Sequence, residues 1–242
     1  MPRDLSPLAD LAALNARYED DPAGALGFAL SGALGRVAVV SSFGAESAVL
    51  LHMVAGIDRA TPVLFIDTLM LFPETLAYQQ ALAAHLGLTA IQRLMPDRVS
   101  LFLQDPDAAL HRADPDACCT LRKTQVLDLA LAGFDGWVSG RKRYQSGARA
   151  RLGLFEREPG SGRVKINPLA GFGPVELRRY LERHGLPRHP LVVRGFPSIG
   201  CAPCTSPAAR NEDPRAGRWR GMEKVECGIH IQDGRVQRRV TT

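Results

Sequence analysis

Two short β-branched runs, each leading through a turn into an apolar-periodic stretch, constrain this chain more than any other feature. Arg36-Val-Ala-Val-Val-Ser41 reads as a strand, Ser42-Phe-Gly-Ala45 as the turn and 46–56 as a helix. Pro62-Val-Leu-Phe-Ile-Asp67 reads as a second strand, followed by a helix over 73–86 and a strand over 88–93. Alternation of this kind is the signature of βαβ units, so the expected fold class is α/β, a mostly parallel sheet with flanking helices. Beyond it the pattern predicts a helix over 121–132, a strand over 136–140, an edge strand over 164–167 and a helix over 174–184 closed by Gly185. Residues 141–162, basic and Gly-rich, read as a mobile loop. The expected organisation is an N-terminal helical segment over 1–35, an α/β domain over 36–205, and a flexible, irregular C-terminal tail over 206–242.

The cysteines come next. Cys118-Cys119 and Cys201-Ala-Pro-Cys204 supply four thiols from two distant segments, the complement of a [4Fe–4S] cluster or a structural zinc ion. Adjacent cysteines diverge, which is awkward for one metal ion, whereas a cluster takes each sulfur at a separate iron. Spacing therefore favours iron–sulfur and leaves zinc open. Asp114 or Asp116 reads as an N-cap that puts Cys118 and Cys119 in a first helical turn, where the positive helix end lowers a thiol pKa. Lys123, four residues past Cys119, faces the same way. A fifth cysteine, Cys227, lies apart in a cationic C-terminal stretch, where a nucleophilic thiol and an inert one are about equally plausible; His230 follows it.

Five cysteines, two of them adjacent, make a poor disulfide framework, and the acidic N-terminus lacks a signal-peptide apolar stretch. No run of about 18 apolar residues suits a membrane span. A cytoplasmic protein is expected. The net charge of +5 and pI near 9.2 suit an anionic partner, although a general Arg bias explains them equally well. Of 30 basic residues only Lys123, Lys142, Lys165 and Lys224 are lysines. Aromatic residues, 6% of the chain, do not interleave with the basic runs, which argues against nucleic-acid stacking.

The turn Ser41-Ser-Phe-Gly-Ala-Glu-Ser47 sits where a phosphate loop belongs, but lacks the Gly-x-x-x-x-Gly-Lys pattern. Arg141-Lys-Arg143, Arg149, Arg151, Arg215 and Arg218 could grip phosphate or sulfate, or form solvated basic loops.

With these residues in view the chain resembles the sulfonucleotide reductases, specifically the adenylylsulfate (APS) reductases of sulfate assimilation. The resemblance rests on Ser41-Ser-Phe-Gly-Ala-Glu, Phe72-Pro-Glu-Thr-Leu, Cys118-Cys-x-x-x-Lys123, Gly140-Arg-Lys-Arg, Lys165-Ile-Asn-Pro-Leu, Ser198-Ile-Gly-Cys-x-Pro-Cys-Thr205, Arg215-Ala-Gly-Arg-Trp and Glu226-Cys-Gly-Ile-His. These segments span about residues 36–230 in the family's order. It implies an adenine-nucleotide α-hydrolase-like fold, related to the PP-loop pyrophosphatases. It also implies a [4Fe–4S] cluster on Cys118, Cys119, Cys201 and Cys204, and attack by Cys227 on the sulfur of APS to give an S-sulfocysteine that reduced thioredoxin resolves. Ser41, Ser42, Gly44 and Gly140 would line the nucleotide pocket, and Lys123, Arg149, Arg215, Arg218 and His230 would surround the phosphosulfate. The short stretch after Cys227 leaves no room for a fused thioredoxin domain, so an external thioredoxin is expected, with no nucleic acid and no membrane as partner; a homo-oligomer is compatible. Rival readings are reduction of 3′-phosphorylated APS (PAPS), with the Arg141–Arg143 run holding the extra phosphate, and a zinc-stapled basic nucleic-acid-binding protein.

One departure stands out. The family has Asp-Thr-Gly and a basic residue after the second strand, and this chain has Asp67-Thr68-Leu69-Met70. Leucine restricts φ and removes close backbone approach, which either alters the nucleotide contact or repacks the loop.

Overall fold

The computed structural model describes residues 11–209, 211–224 and 226. Cys227 and His230 lie outside the described residues. Two helices open the chain, α1 (Leu11–Tyr18) and α2 (Pro22–Leu30). They are separate because Asp21 caps the second, its carboxylate accepting the Gly24 amide at 2.8 Å, and Pro22 occupies the first helical position. Then follow β1 (Val37–Val40), α3 (Ser47–Ile57), β2 (Val63–Ile66), α4 (Pro73–Leu86) and β3 (Ile91–Leu94). The helix expected over 73–86 spans those residues, begun by Pro73 and ended by Gly87 in the left-handed conformation. Short helices α5 (Arg98–Gln104) and α6 (Leu110–Ala113), for which no apolar periodicity prepared the reading, lead to α7 (Pro115–Cys119). A π-helical turn over Thr120–Thr124 joins α7 to α8 (Gln125–Leu131). After β4 (Gly136–Ser139) come β5 (Phe155–Arg157), β6 (Val164–Ile166) and α9 (Pro174–Arg183).

The six strands run in the order β3-β2-β1-β4-β6-β5. All neighbours are parallel except the β5–β6 pair. β2 and β4 are buried along their whole length and β1 nearly so, as expected of central parallel strands covered on both faces. The expectation of an edge strand at 164–167 is corrected: β6 is interior, because the three-residue β5 pairs with its outer side. The N-terminal helices pack into the main core through Tyr18, Ala25, Leu26 and Ala29. No helix among the described residues is long and apolar enough to cross a membrane.

Past α9 the described chain holds turns, one 3-10 turn over Ala202–Cys204 and isolated bridges such as Thr205 with Arg218, but no α-helix or strand. It is nonetheless closely fitted: Trp219 is 2% exposed, and a Cβ at Gly217 would stand 2.0 Å from the Ser206 carbonyl oxygen. Only glycine permits that approach, which carries the Ser206 amide to the Gly217 carbonyl at 2.8 Å.

Candidate active site

Chain order reverses across the sheet at β1, whose neighbours are β2 on one side and β4 on the other. An open α/β sheet parts its loops at such a point, beyond the carboxyl ends of the strands. A cavity of about 230 Å³ lies there, lined by Ser41, Ser42 and Gly44 after β1, Thr68 after β2 and Gly140 after β4. The β1 loop is shaped by Phe43, which takes φ +47°. Complete burial and an edge-on contact with Phe65, ring centres 5.2 Å apart, hold that strained conformation. The Ser41 hydroxyl accepts the Phe43 amide at 3.2 Å, and the Gly44 carbonyl accepts the Ser47 amide that starts α3.

Among the described residues six cationic side chains line the cavity, Lys123, Arg141, Lys142, Arg149, Arg215 and Arg218, against two carboxylates, Glu46 and Glu226. The solvated-loop reading of Arg141, Lys142 and Arg149 is therefore corrected; they are 5%, 3% and 7% exposed. Each has a carboxylate partner from another segment: Arg141 with Glu156 at 2.6 Å, Lys142 with Glu46 at 2.7 Å, Arg149 with Glu226 at 2.7 Å. Burial pulls the Arg149 guanidinium down to about 10, with Glu226 opposing and Arg215 reinforcing the shift. Burial likewise lowers Lys142, and Glu46 works against it. Glu46 also accepts the Tyr144 hydroxyl at 2.6 Å and the Gln145 amide at 3.3 Å, so it organises the wall between β1 and β4. Arg143 is held apart, donating to the Leu152 carbonyl at 2.8 Å.

The four thiols gather at one side of this cavity. The Asp114 carboxylate caps α7, accepting the Asp116 and Ala117 amides, and so starts the turn that carries Cys118 and Cys119. Cys119 and Cys204 pack against Trp219, and Cys118 senses the charge of both Cys201 and Cys204. Cys201 lines the cavity itself. Its position is fixed by a bridge to Leu71, by the Ala202 amide donating to the Met70 carbonyl at 2.8 Å, and by the Thr68 hydroxyl 3.2 Å from its sulfur. The expected lowering of the helix-start thiol is overturned: burial pushes Cys118 up to about 11, outweighing nearby Arg122. Cys204 is raised by burial too, with Lys123, Arg218 and Lys224 pulling the other way. Lys123 thus stands between thiols and cavity. Among the described residues no three His, Cys, Asp or Glu side chains are grouped to hold one metal ion. A cluster takes each sulfur at a different iron, and the donor set, four cysteines from two segments with Cys119 and Cys204 both against Trp219, suits such a group in its chemistry.

Trp219 organises the cations on this side, with Arg218, Arg215 and Lys224 at 4.5, 5.8 and 5.7 Å from its ring centre. Every expected substrate-side residue among the described ones, Ser41, Ser42, Gly44, Lys123, Gly140, Arg149, Arg215 and Arg218, lines the one cavity. Arg141 and Lys142 of the basic run join them, with residues that sequence reasoning did not assign: Glu46, Tyr144, Thr68, Thr75, Trp219 and Glu226. Thr75 is backed by His189, whose Nδ1 accepts the Leu191 amide at 3.1 Å and whose Nε2 therefore donates to the Thr75 hydroxyl at 3.0 Å. Complete burial lowers His189 to about 4, so the ring is neutral.

Fold and site together define an α/β protein with a PP-loop-like nucleotide-binding fold, whose cation-lined cavity opens beside Cys201. Residues 36–207 match the phosphoadenosine phosphosulfate reductase domain, and the chain belongs to that family of reductases. It is 49% identical over 195 residues, 81% of this chain and 76% of its relative, to the adenosine 5′-phosphosulfate reductase of Mesorhizobium japonicum. It is 38% identical over 199 residues, 81% and 82% of the two chains, to the phosphoadenosine 5′-phosphosulfate reductase of Gloeobacter violaceus. The crystal structure of the phosphoadenylyl-sulfate reductase from Candida auris in its phosphate complex superposes with a TM-score of 0.69 at 25% identity, covering 81% of this chain and 96% of that one.

Proposed function

We propose that this protein reduces adenylylsulfate to sulfite and AMP in assimilatory sulfate reduction in the cytoplasm, with Cys227 as nucleophile and thioredoxin as reductant. One observation carries the reading: the strand-end loop, the cations and Cys201 meet in a single cavity, and Glu226, the residue before Cys227, is inside it. The Ser41–Ser47 turn and Gly140 receive the nucleotide. Lys123, Arg149, Arg215 and Arg218 neutralise the phosphosulfate oxygens, with His230 as a further contact. The Cys227 thiolate attacks sulfur, the S–O bond to phosphate breaks, and AMP leaves with the bonding pair, which the same cations stabilise. The sulfonate stays on Cys227. A thiolate of reduced thioredoxin attacks the Cys227 sulfur, expelling sulfite, and its second thiol closes the thioredoxin disulfide and frees Cys227. Cys118, Cys119, Cys201 and Cys204 would hold a [4Fe–4S] cluster, whose contribution when bound is electrostatic and structural.

Two observations favour APS over PAPS. The 49% identical relative is an adenosine 5′-phosphosulfate reductase. Arg141 and Arg143, the sequence candidates for an additional phosphate, are already engaged by Glu156 and the Leu152 carbonyl. The test is an anaerobic preparation with iron and sulfide analysis, followed by kcat/KM for APS and PAPS and trapping of labelled sulfite. Four irons, a preference for APS and label on wild type but not on Cys227→Ser are expected. A preference for PAPS overturns the substrate, and label retained on Cys227→Ser overturns the nucleophile.

A further inference from the structure

The two carboxylates of the cavity behave differently. Glu46 belongs to the wall: Lys142, Tyr144 and Gln145 hold it where α3 begins. Glu226 comes from the far end of the described chain and reaches two guanidinium groups on different segments. Arg149 grips its Oε2 through Nε and Nη2, both at 2.7 Å, and Arg215 Nη2 donates to Oε1 at 3.2 Å. All three side chains are largely buried, 7% and 13% exposed for the arginines and 11% for the glutamate. A forked guanidinium on one oxygen and a second guanidinium on the other is how a protein receives a phosphate or sulfate group.

We infer that Glu226 occupies the oxyanion subsite formed by Arg149 and Arg215, and that the anionic head of the substrate must displace it. The inference rests on the proposed sulfonucleotide chemistry and adds a competition to it. An entering head group carrying more charge than a carboxylate takes the two arginines and releases residue 226. The residue after it is Cys227, so filling the subsite frees the chain next to the nucleophile. When the nucleotide product leaves, the carboxylate returns to the vacated arginines and opposes rebinding. Glu226 is thus a positioning residue that sets affinity for anions at this subsite. A strut role predicts the opposite: loss of its charge would leave two arginines repelling one another, loosen the pocket and weaken binding.

The probe is ADP, whose β-phosphate stands where the sulfuryl group of APS would, titrated calorimetrically into the cluster-bearing full chain. Glu226→Gln keeps the size of the side chain and removes the competing charge. It should bind ADP about tenfold more tightly than wild type and show a fall in KM for APS larger than any change in kcat. Glu226→Asp, which keeps the charge, should stay close to wild type, and its folding controls for damage at this position. Equal or weaker ADP binding by Glu226→Gln overturns the competition. Wild type that binds neither ADP nor APS overturns instead the functional reading on which it rests.

Discussion

Asp105→Ala is the perturbation whose cost follows most directly from the structure. The Asp105 and Arg122 side chains are 2% and 5% exposed and meet at 2.6 Å, with a second contact at 3.3 Å from Arg122 Nε. Arg122 Nη1 also donates to the Thr68 carbonyl at 3.0 Å, and Asp105 accepts the Leu110 amide at 2.8 Å. Truncation to alanine leaves a buried guanidinium without its counter-charge, which costs about 3–5 kcal/mol. For a chain of this size that is a fall in melting temperature of roughly 6–20 °C. Urea unfolding should show the loss as a lower midpoint at unchanged slope. Asp105→Leu combined with Arg122→Met, which removes both charges, should cost far less than the single change. Burial raises the Asp105 carboxyl, but hydrogen bonds from Arg122 and the Leu110 amide outweigh it and hold it below the usual carboxylate range. The contribution is therefore complete at neutral pH and is lost as pH falls through that lowered pKa. A loss under about 1 kcal/mol for Asp105→Ala, or a double variant as damaged as the single one, would refute the reasoning.

Three further outcomes concern the cavity wall at Thr75, the histidine behind it and the loop after β2. Thr75→Val removes a hydroxyl whose oxygen already accepts from His189 and whose proton is left for a ligand acceptor in the cavity; kcat/KM for the sulfonucleotide should fall about 5- to 30-fold, and an unchanged value would show that the hydroxyl faces no ligand. His189, lowered to about 4 chiefly by burial, is neutral in the fold while the unfolded chain takes up a proton below about pH 6.5, so stability should drop by about 1–2 kcal/mol between pH 7 and 5. His189→Gln should flatten that slope in denaturation curves, and an undiminished slope would assign it elsewhere. Leu69 has φ +59°, so Leu69→Ile, β-branched, should cost about 1–2 kcal/mol in urea unfolding while Leu69→Gly stays within about 1 kcal/mol of wild type; a neutral isoleucine variant would contradict the strain.

The frame of the molecule was readable because the hydrophobic period changes between strand and helix, as at β1 into α3 and β2 into α4. The two tight cysteine pairs stand out in the sequence because four like side chains in that spacing have few other uses. What escaped had no local signature. The π-turn over Thr120–Thr124 runs without a break from α7 into α8, and its residues Thr-Leu-Arg-Lys-Thr carry nothing that marks the change of helix type. β5 is three residues long and set in a basic, Gly-rich stretch, so β6 looked like an edge. The buried cations looked solvated because their partners are distant in sequence: Lys142 finds Glu46 96 residues away, and Arg149 finds Glu226 77 residues away. Sequence shows a charge, and only the fold shows which opposite charge it meets.

The Asp67–Met70 loop, where the sequence departs from the pattern the resemblance implies, is held by many contacts. Leu69 keeps a left-handed backbone conformation that suits glycine, at a cost of about 1–2 kcal/mol. The loop holds it there through groups on every side. The Asp67 carboxylate accepts the Leu69 amide at 2.9 Å and the Arg93 Nε at 3.0 Å. The Thr68 hydroxyl accepts the Met70 amide at 3.3 Å, and the Met70 carbonyl accepts from Ala202. The Leu69 side chain itself is 48% exposed and lines no part of the cavity. Thr68 faces inward, with its carbonyl on Arg122 and its hydroxyl on Cys201. The backbone path that joins the β2 end to Cys201 thus runs through Thr68 and Met70, and the Leu69 side chain lies on the outer surface of that junction.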